Sequence, residues 1–106
     1  MNICVFTGRA TKDIEMKTTK DNKLIGIFSL AVNEGFGPNK KTSFLNCIGY
    51  GKVAKSMEHN IKKSTKITIT AKARQKKFKD AEGNNRSSVD FVIDSWEFAE
   101  SKRNDL

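Results

Sequence analysis

Phe44, Asn46, Ile48 and Tyr50 lie two apart in the run Thr42–Lys52, and Lys40, Lys41 and Lys52 bracket them. In a strand these four side chains share one face, and Leu45, Cys47 and Gly49 take the other. Two rings and an amide, with ammonium groups at both ends, suit the stacking of unpaired bases beside a neutralised phosphate backbone. The same alternation also describes a buried strand with ordinary core aromatics, and periodicity alone does not separate the two. A second row lies further on. Lys72, Arg74 and Lys76 alternate towards Phe78, with Lys77 and Lys79 beside them. So many like charges without an acid form either a solvated face or the seat of an anion. The ring on the same outward row favours the anion, because an exposed Phe gains from something stacked on it.

Other chemistries find less support. Asp13/Glu15 and Asp80/Glu82 are carboxylate pairs two apart, in turns or at strand ends, where acids serve solubility more often than proton transfer. Asp90 and Asp94 are further apart. His59, the single histidine, falls on the polar side of a predicted helix with no Ser or Cys near it in sequence. Gly49-Tyr50-Gly51-Lys52 lacks the spacing of a phosphate loop. Cys4 and Cys47 are far apart, each in a predicted strand, and form no Cys-x-x-Cys. They read as two reduced thiols in a reducing cytoplasm. No catalytic residue, no metal site and no cofactor is expected.

The charge balance points to a polyanion. The chain has 106 residues, enough for one domain, with 20 Lys and Arg against 12 Asp and Glu, a net charge of +8. The excess is local. Residues 52–86 carry 11 basic and 3 acidic side chains, whereas residues 87–106 carry 2 and 5. A basic surface fits nucleic acid or an anionic membrane. No apolar run approaches the ~20 residues of a membrane span, and residues 1–6 lack the pattern of a signal peptide.

The elements that must position these rows read β, β, β, α, β, β. Asn2–Gly8 alternates, and Leu24–Glu34 carries Phe28, Leu30 and Val32 at period two after a Lys20-Asp21-Asn22 turn. Gly35-Phe36-Gly37-Pro38-Asn39 is a loop containing the only proline. Phe44–Gly51 is the third predicted strand. Lys52–Ile61 then changes period, with Val53, Met57 and Ile61 forming a helical stripe. Thr65–Phe78 is the fourth strand, with Ile67, Ile69, Ala71 and Ala73 inward. Asp80–Asn85 is a turn, and Val89–Phe98 is the fifth strand, whose Trp96 is assigned to wall packing. Five strands with one helix between the third and fourth predict an all-β, five-stranded OB-fold, a Greek-key barrel.

The same landmarks carry a resemblance to a known family. Phe44-Leu45-Asn46-Cys47-Ile48-Gly49-Tyr50-Gly51-Lys52, followed by Val53-Ala54, resembles the third strand and helix start of bacterial- and phage-type single-stranded DNA-binding proteins. Gly8–Asp13, Phe28–Asn33, Ile61–Ser64 and Phe78–Arg86 continue the resemblance in family order, across about residues 1–98. It implies an OB-fold domain over residues 1–99 and a stacking platform of Phe36, Phe44, Tyr50 and Phe78. Relatives often carry Trp at several of these positions and an aromatic where this chain has Thr18. Phosphates are expected along Arg9, Lys12, Lys40, Lys41, Lys52, Lys72, Arg74, Lys76 and Arg86.

The resemblance further implies that the chain binds and protects single-stranded DNA without sequence specificity during replication, recombination or DNA transfer. It implies a homo-oligomer, dimer or tetramer, in the cytoplasm and associated with the nucleoid, without a membrane partner. Residues 100–106 read as a short stub without the acidic tail that recruits partner proteins in the family, so tail-dependent partners are not expected. Two alternatives stay open on the residues: an accessory protein of the primosomal replication protein N type, and an RNA-binding OB domain.

Overall fold

Leu24–Glu34, the second half of Lys41–Tyr50 and the first half of Lys66–Lys79 bury one row of side chains and expose the other, which is what a sheet closed around a single core requires. A computed structural model of the protein describes residues 1–100. The order is β1 (Cys4–Ala10), β2 (Glu15–Thr18), β3 (Leu24–Glu34), β4 (Lys41–Tyr50), α1 (Gly51–Asn60), β5 (Lys66–Lys79) and β6 (Asn85–Phe98). A short 3-10 turn, Gly37–Asn39, sits between β3 and β4. Apart from Glu100, the stub expected at 100–106 lies outside the described residues.

The sheet runs β1-β5-β6-β4-β3-β2 and closes into a ring where β1 also pairs with β3, through Arg9↔Ala31 and Ala10↔Leu30. Among the described residues only β4 and β6 pair in parallel, at Cys47↔Phe91 and Ile48↔Val92. The ring and its one helix are the expected OB-fold barrel. One strand is additional. β2 pairs with β3 from Glu15↔Ile27 to Thr18↔Leu24, and four residues with two charges are too few to display a period. β6 also begins four residues before the expected Val89.

The core is apolar throughout. Phe28 and Leu30 of β3, Cys47 of β4, Ile67, Ile69 and Ala71 of β5, and Ile93 of β6 are buried, and none of the fully buried residues is polar. α1 closes one end of the barrel with Ala54 and Met57, joined by Ile61 just past its last turn, and Val53 packs against the same cluster. That is the predicted stripe. Trp96 also packs against the core, and its indole N–H donates to the Ser56 hydroxyl of α1 at 3.2 Å. Burial pushes the Cys47 thiol up to about 12, so it stays protonated and acts as a small apolar side chain.

Ring closure depends on Gly8. A Cβ there would collide with the carbonyl oxygen of Ala31, a backbone atom that cannot move without opening the β1–β3 junction. At Gly49 the nearest obstacle to a Cβ is the Met57 Cε at 2.7 Å, the end of a flexible side chain. Gly8→Ala is therefore expected to cost ~1–3 kcal/mol of stability, and Gly49→Ala less. Urea melts of the two variants check the order, and a Gly49→Ala loss exceeding that of Gly8→Ala would contradict it.

Candidate nucleic-acid interface

β4 presents Phe44, Asn46, Ile48 and Tyr50 outward because Cys47 and Gly49 are held in the core. Register extends this outer face on both sides. On β3, Ala31, Ser29, Ile27 and Ile25 stand opposite Phe44, Asn46, Ile48 and Tyr50. On β6, Val92 lies beside Ile48, and Lys72 of β5 lies beside Val92. Ile25, Ile27, Ile48 and Val92 are half-buried, yet none belongs to the group packed on the core. They form an apolar floor in the middle of the outer face.

Two rings, Phe44 and Tyr50, stand on β4 either side of that floor, and two more lie further out, Phe78 along β5 and Phe36 in a loop. Phe44 is 66% exposed, Phe78 46% and Tyr50 37%, while Phe36 in the β3–β4 loop is 90% exposed. The loop is shaped by its backbone: the amides of Asn39 and Lys40 donate to the carbonyls of Phe36 and Gly37, both at 3.1 Å. Beneath it, the Thr42 hydroxyl donates to the Asn33 side-chain oxygen at 2.5 Å. Phe36 thus projects from a folded-back tip next to Lys40 and Lys41.

The structure joins Arg74 directly to the platform. Its Nη2 donates to the Tyr50 hydroxyl at 3.0 Å, and its guanidinium carbon lies 5.8 Å from the Tyr50 ring centroid. The contact ties β5 to the end of β4 and places positive charge over one side of the ring, worth ~0.5–1 kcal/mol at an exposed site.

The other expected phosphate ligands fall into two groups. Among the described residues, the ammonium groups of Lys40, Lys41, Lys52, Lys72 and Lys76 have no acid or hydrogen-bond partner. Arg9, Lys12 and Arg86 are already engaged. Arg9 donates to Glu100 at 3.0 Å and to the Ser64 carbonyl at 2.9 Å, and Lys12 pairs with Glu15 at 3.2 Å. Lys12 and then Lys17 hold the Glu15 carboxyl below its usual value. Arg9 still lies at the margin of the outer face, since β1 pairs it with Ala31, which stands opposite Phe44.

Two hollows flank the face. One, at the tip of the β5–β6 hairpin, is lined by Phe78, Lys77, Lys79, Asn85 and Arg86. The other lies beside the start of α1, where Tyr50 and Lys52 meet Leu24, Lys23 and Lys55. Lys23 and Lys55 are not among the residues expected from sequence. Lys23 stands in the turn before β3 and Lys55 on α1, and only the fold brings both to Tyr50.

The single-strand binding protein family matches residues 1–99. The chain belongs to that family. It is 32% identical to the single-stranded DNA-binding protein of Fusobacterium nucleatum, over 96% of this chain and 69% of that protein. Single-stranded DNA-binding protein 3 of Streptococcus agalactiae is 28% identical over 96% of this chain and 76% of its own length. For single-stranded DNA-binding protein 1 of the same species the figures are 28%, 96% and 64%. Family membership accounts for the barrel and for the order of the landmarks along it.

Asp80 is one of two acids, with Glu82, in the turn of the basic hairpin. The hydrogen bond from Arg86, followed by those from the Asn84 and Glu82 amides, holds its carboxyl below the ordinary value. A group with a depressed folded value contributes fully above the unfolded value, and its contribution is lost as pH falls through the depressed one. The hairpin tip is therefore expected to stay locked at neutral pH and to loosen only in acid. Amide exchange at Glu82 and Asn84, followed by NMR as pH is lowered, reads this directly. Unchanged protection after Asp80 has protonated would contradict it.

Proposed function

We propose that residues 1–99 form a domain that binds single-stranded DNA without sequence specificity and shields it during replication, recombination or transfer of DNA. The observation that carries the reading is one outer face on which Phe44 and Tyr50 stand either side of Ile48 in an apolar floor, Phe78 continues the outward row of β5 beyond Lys72, and lysines without an acid partner among the described residues border it. Bases stack on those rings and on Phe36, and phosphates pass Lys40, Lys41, Lys52, Lys72, Arg74 and Lys76. Arg9 and Lys12 join by exchanging a carboxylate for a phosphate, and Arg86 joins through its Nη groups while its Nε stays on Asp80. The names of the relatives support the ligand. The role is binding, not catalysis, and it belongs to the cytoplasm, at the nucleoid.

Stacking and charge are separable by experiment. Phe44→Ala is expected to weaken oligo-dT binding by ~1–3 kcal/mol, with little dependence on base. Replacing Lys72 and Lys76 by Ala is expected to flatten the plot of log affinity against log salt by ~0.7 for each phosphate that no longer meets an ammonium group. Titrations at several salt concentrations measure both. Wild-type affinity in the first variant together with a wild-type slope in the second would exclude this face.

We further propose that the chain acts as a homo-oligomer assembled through β1. Ile3 and Val5 are 63% and 62% exposed on its outer side, the state of apolar side chains that a partner covers. Among the described residues Cys4–Gly8 pair with β5 on one side only, which leaves a strand edge open to a second copy. Sedimentation is expected to give two or four copies for the native chain and fewer for Ile3→Glu/Val5→Glu. A native monomer at micromolar concentration would exclude the arrangement.

A further inference from the structure

The outer half of the β5–β6 hairpin has nothing apolar beneath it. Residues 74–79 of β5 and 85–87 of β6 are all exposed, and Phe78 stands opposite Arg86 almost at the tip. A two-stranded ribbon without a core under it is marginally stable in water. Something other than packing must therefore keep Phe78 in place.

One side chain gathers the turn. Asp80 Oδ1 accepts hydrogen bonds from the backbone amides of Glu82 and Asn84, both at 2.9 Å. Its Oδ2 accepts from Nε of Arg86, also at 2.9 Å. Its own amide donates to the Asn84 carbonyl at 3.0 Å, and its carbonyl accepts from the Gly83 amide at 3.0 Å. Gly83 supplies the left-handed backbone, φ 83°, that this reversal needs. Both strands of the tip are thus tied to one carboxylate, two residues from Phe78.

We propose that Asp80 is a positioning residue for DNA binding: it locks the hairpin in the shape that presents Phe78 to a base. The inference rests on the reading that Phe78 stacks. It runs against simple electrostatics. Asp80 is an acid among Lys76, Lys77, Lys79 and Arg86, so removing it raises the net charge and frees a guanidinium, and both changes alone strengthen attraction to a polyanion. The lock requires the opposite sign. Neutralising Asp80 weakens binding, because a wandering ring must be ordered again each time a base stacks on it.

The test is a double-mutant cycle on the full chain with oligo-dT at fixed salt. Asp80→Ala is expected to bind about 5-fold or more weakly when Phe78 is present, within the value of one stack. In a Phe78→Ala background the same change is expected to cost nothing or to improve binding, since only the charge remains. Asp80→Asn keeps one acceptor for the turn amides but gives up the ion pair with Arg86, so it falls between. Thermal melting is expected to be unchanged, because the tip lies outside the core, and this separates positioning from loss of fold. Native or tighter binding by Asp80→Ala would overturn the proposal. So would an equal loss in both backgrounds, which would mean that Asp80 does not act through Phe78. If Phe78→Ala alone binds like the native chain, the stacking role of Phe78 fails and the inference fails with it. A Phe78→Ala loss without an Asp80→Ala loss leaves the stacking reading standing and removes only the inference.

Discussion

Ile67, Ile69 and Ala71 are fully buried, and that burial fixes what the rest of β5 can do. A strand has a period of two, so a slip of one residue would turn these three to solvent and drive Thr68, Thr70 and Lys72 into the core. The register is therefore held by several kcal/mol of apolar burial at one end of the strand. Its consequence appears at the other end, where Lys72, Arg74, Lys76 and Phe78 inherit the outward face without any core of their own. β6 follows through an unbroken antiparallel ladder to Lys79↔Asn85, with one irregularity opposite Thr70 and Ala71. There Asp94 is extra. It lets Ile93 and Trp96 both face inward although three residues separate them in number, and it leaves Asp94 and Ser95 exposed in succession.

Charge on this surface is sorted by whether an acid already answers it. The Arg9–Glu100, Lys12–Glu15 and Arg86–Asp80 pairs are solvent-facing, where water screens the attraction and leaves little net gain. In the proposed function Arg9 and Lys12 exchange a carboxylate for a phosphate at little change in energy and so follow the strand rather than capture it, whereas Arg86 keeps its Nε on Asp80. Among the described residues, Lys40, Lys41, Lys52, Lys72 and Lys76 have no such competitor. Counterions condensed on a nucleic acid are released when ammonium groups like these replace them, and that release supplies sequence-independent affinity. Arg74 belongs to neither class. Its hydrogen bond and ring contact make it part of the platform, so it stiffens Tyr50 while lending it charge.

Much of the barrel is legible in the residues alone, for a physical reason. β3, β4 and the inner half of β5 bury one row each, and burial writes alternation into the residues themselves; α1 does the same at helical period through Val53 and Met57. Where nothing is buried, nothing is written. Residues 85–88 are polar and lie on the unsupported ribbon, so alternation marks β6 only from Val89 onward, and β2 is too short to carry a pattern. The proposed stacking positions Phe44, Tyr50 and Phe78 follow from the same alternation, and Phe36, in a loop, from the family resemblance alone. Contacts between distant elements do not. The Arg74–Tyr50 bond spans 24 residues, the Arg9–Glu100 pair spans 91, and the Lys23–Tyr50–Lys55 hollow needs three elements at once. No local spacing encodes these.

The lack of sequence preference in the proposed function follows from what the floor is made of. Ile25, Ile27, Ile48 and Val92 carry no side-chain donor or acceptor, so they favour the flat face of any base over water and distinguish none of them. Groups able to read a base edge stand one row away, at Ser29 and Asn46, paired across β3 and β4. Arg74, on β5, is turned towards Tyr50 instead. Reading a base demands donors and acceptors fixed in place and free to bond. On this face most of the fixed groups are rings and aliphatic carbons, Ser29 and Asn46 are the two polar side chains among them, and the lysines at the border are flexible. A surface built in that way holds a strand by its stacking faces and its charge. It leaves the order of the bases unread.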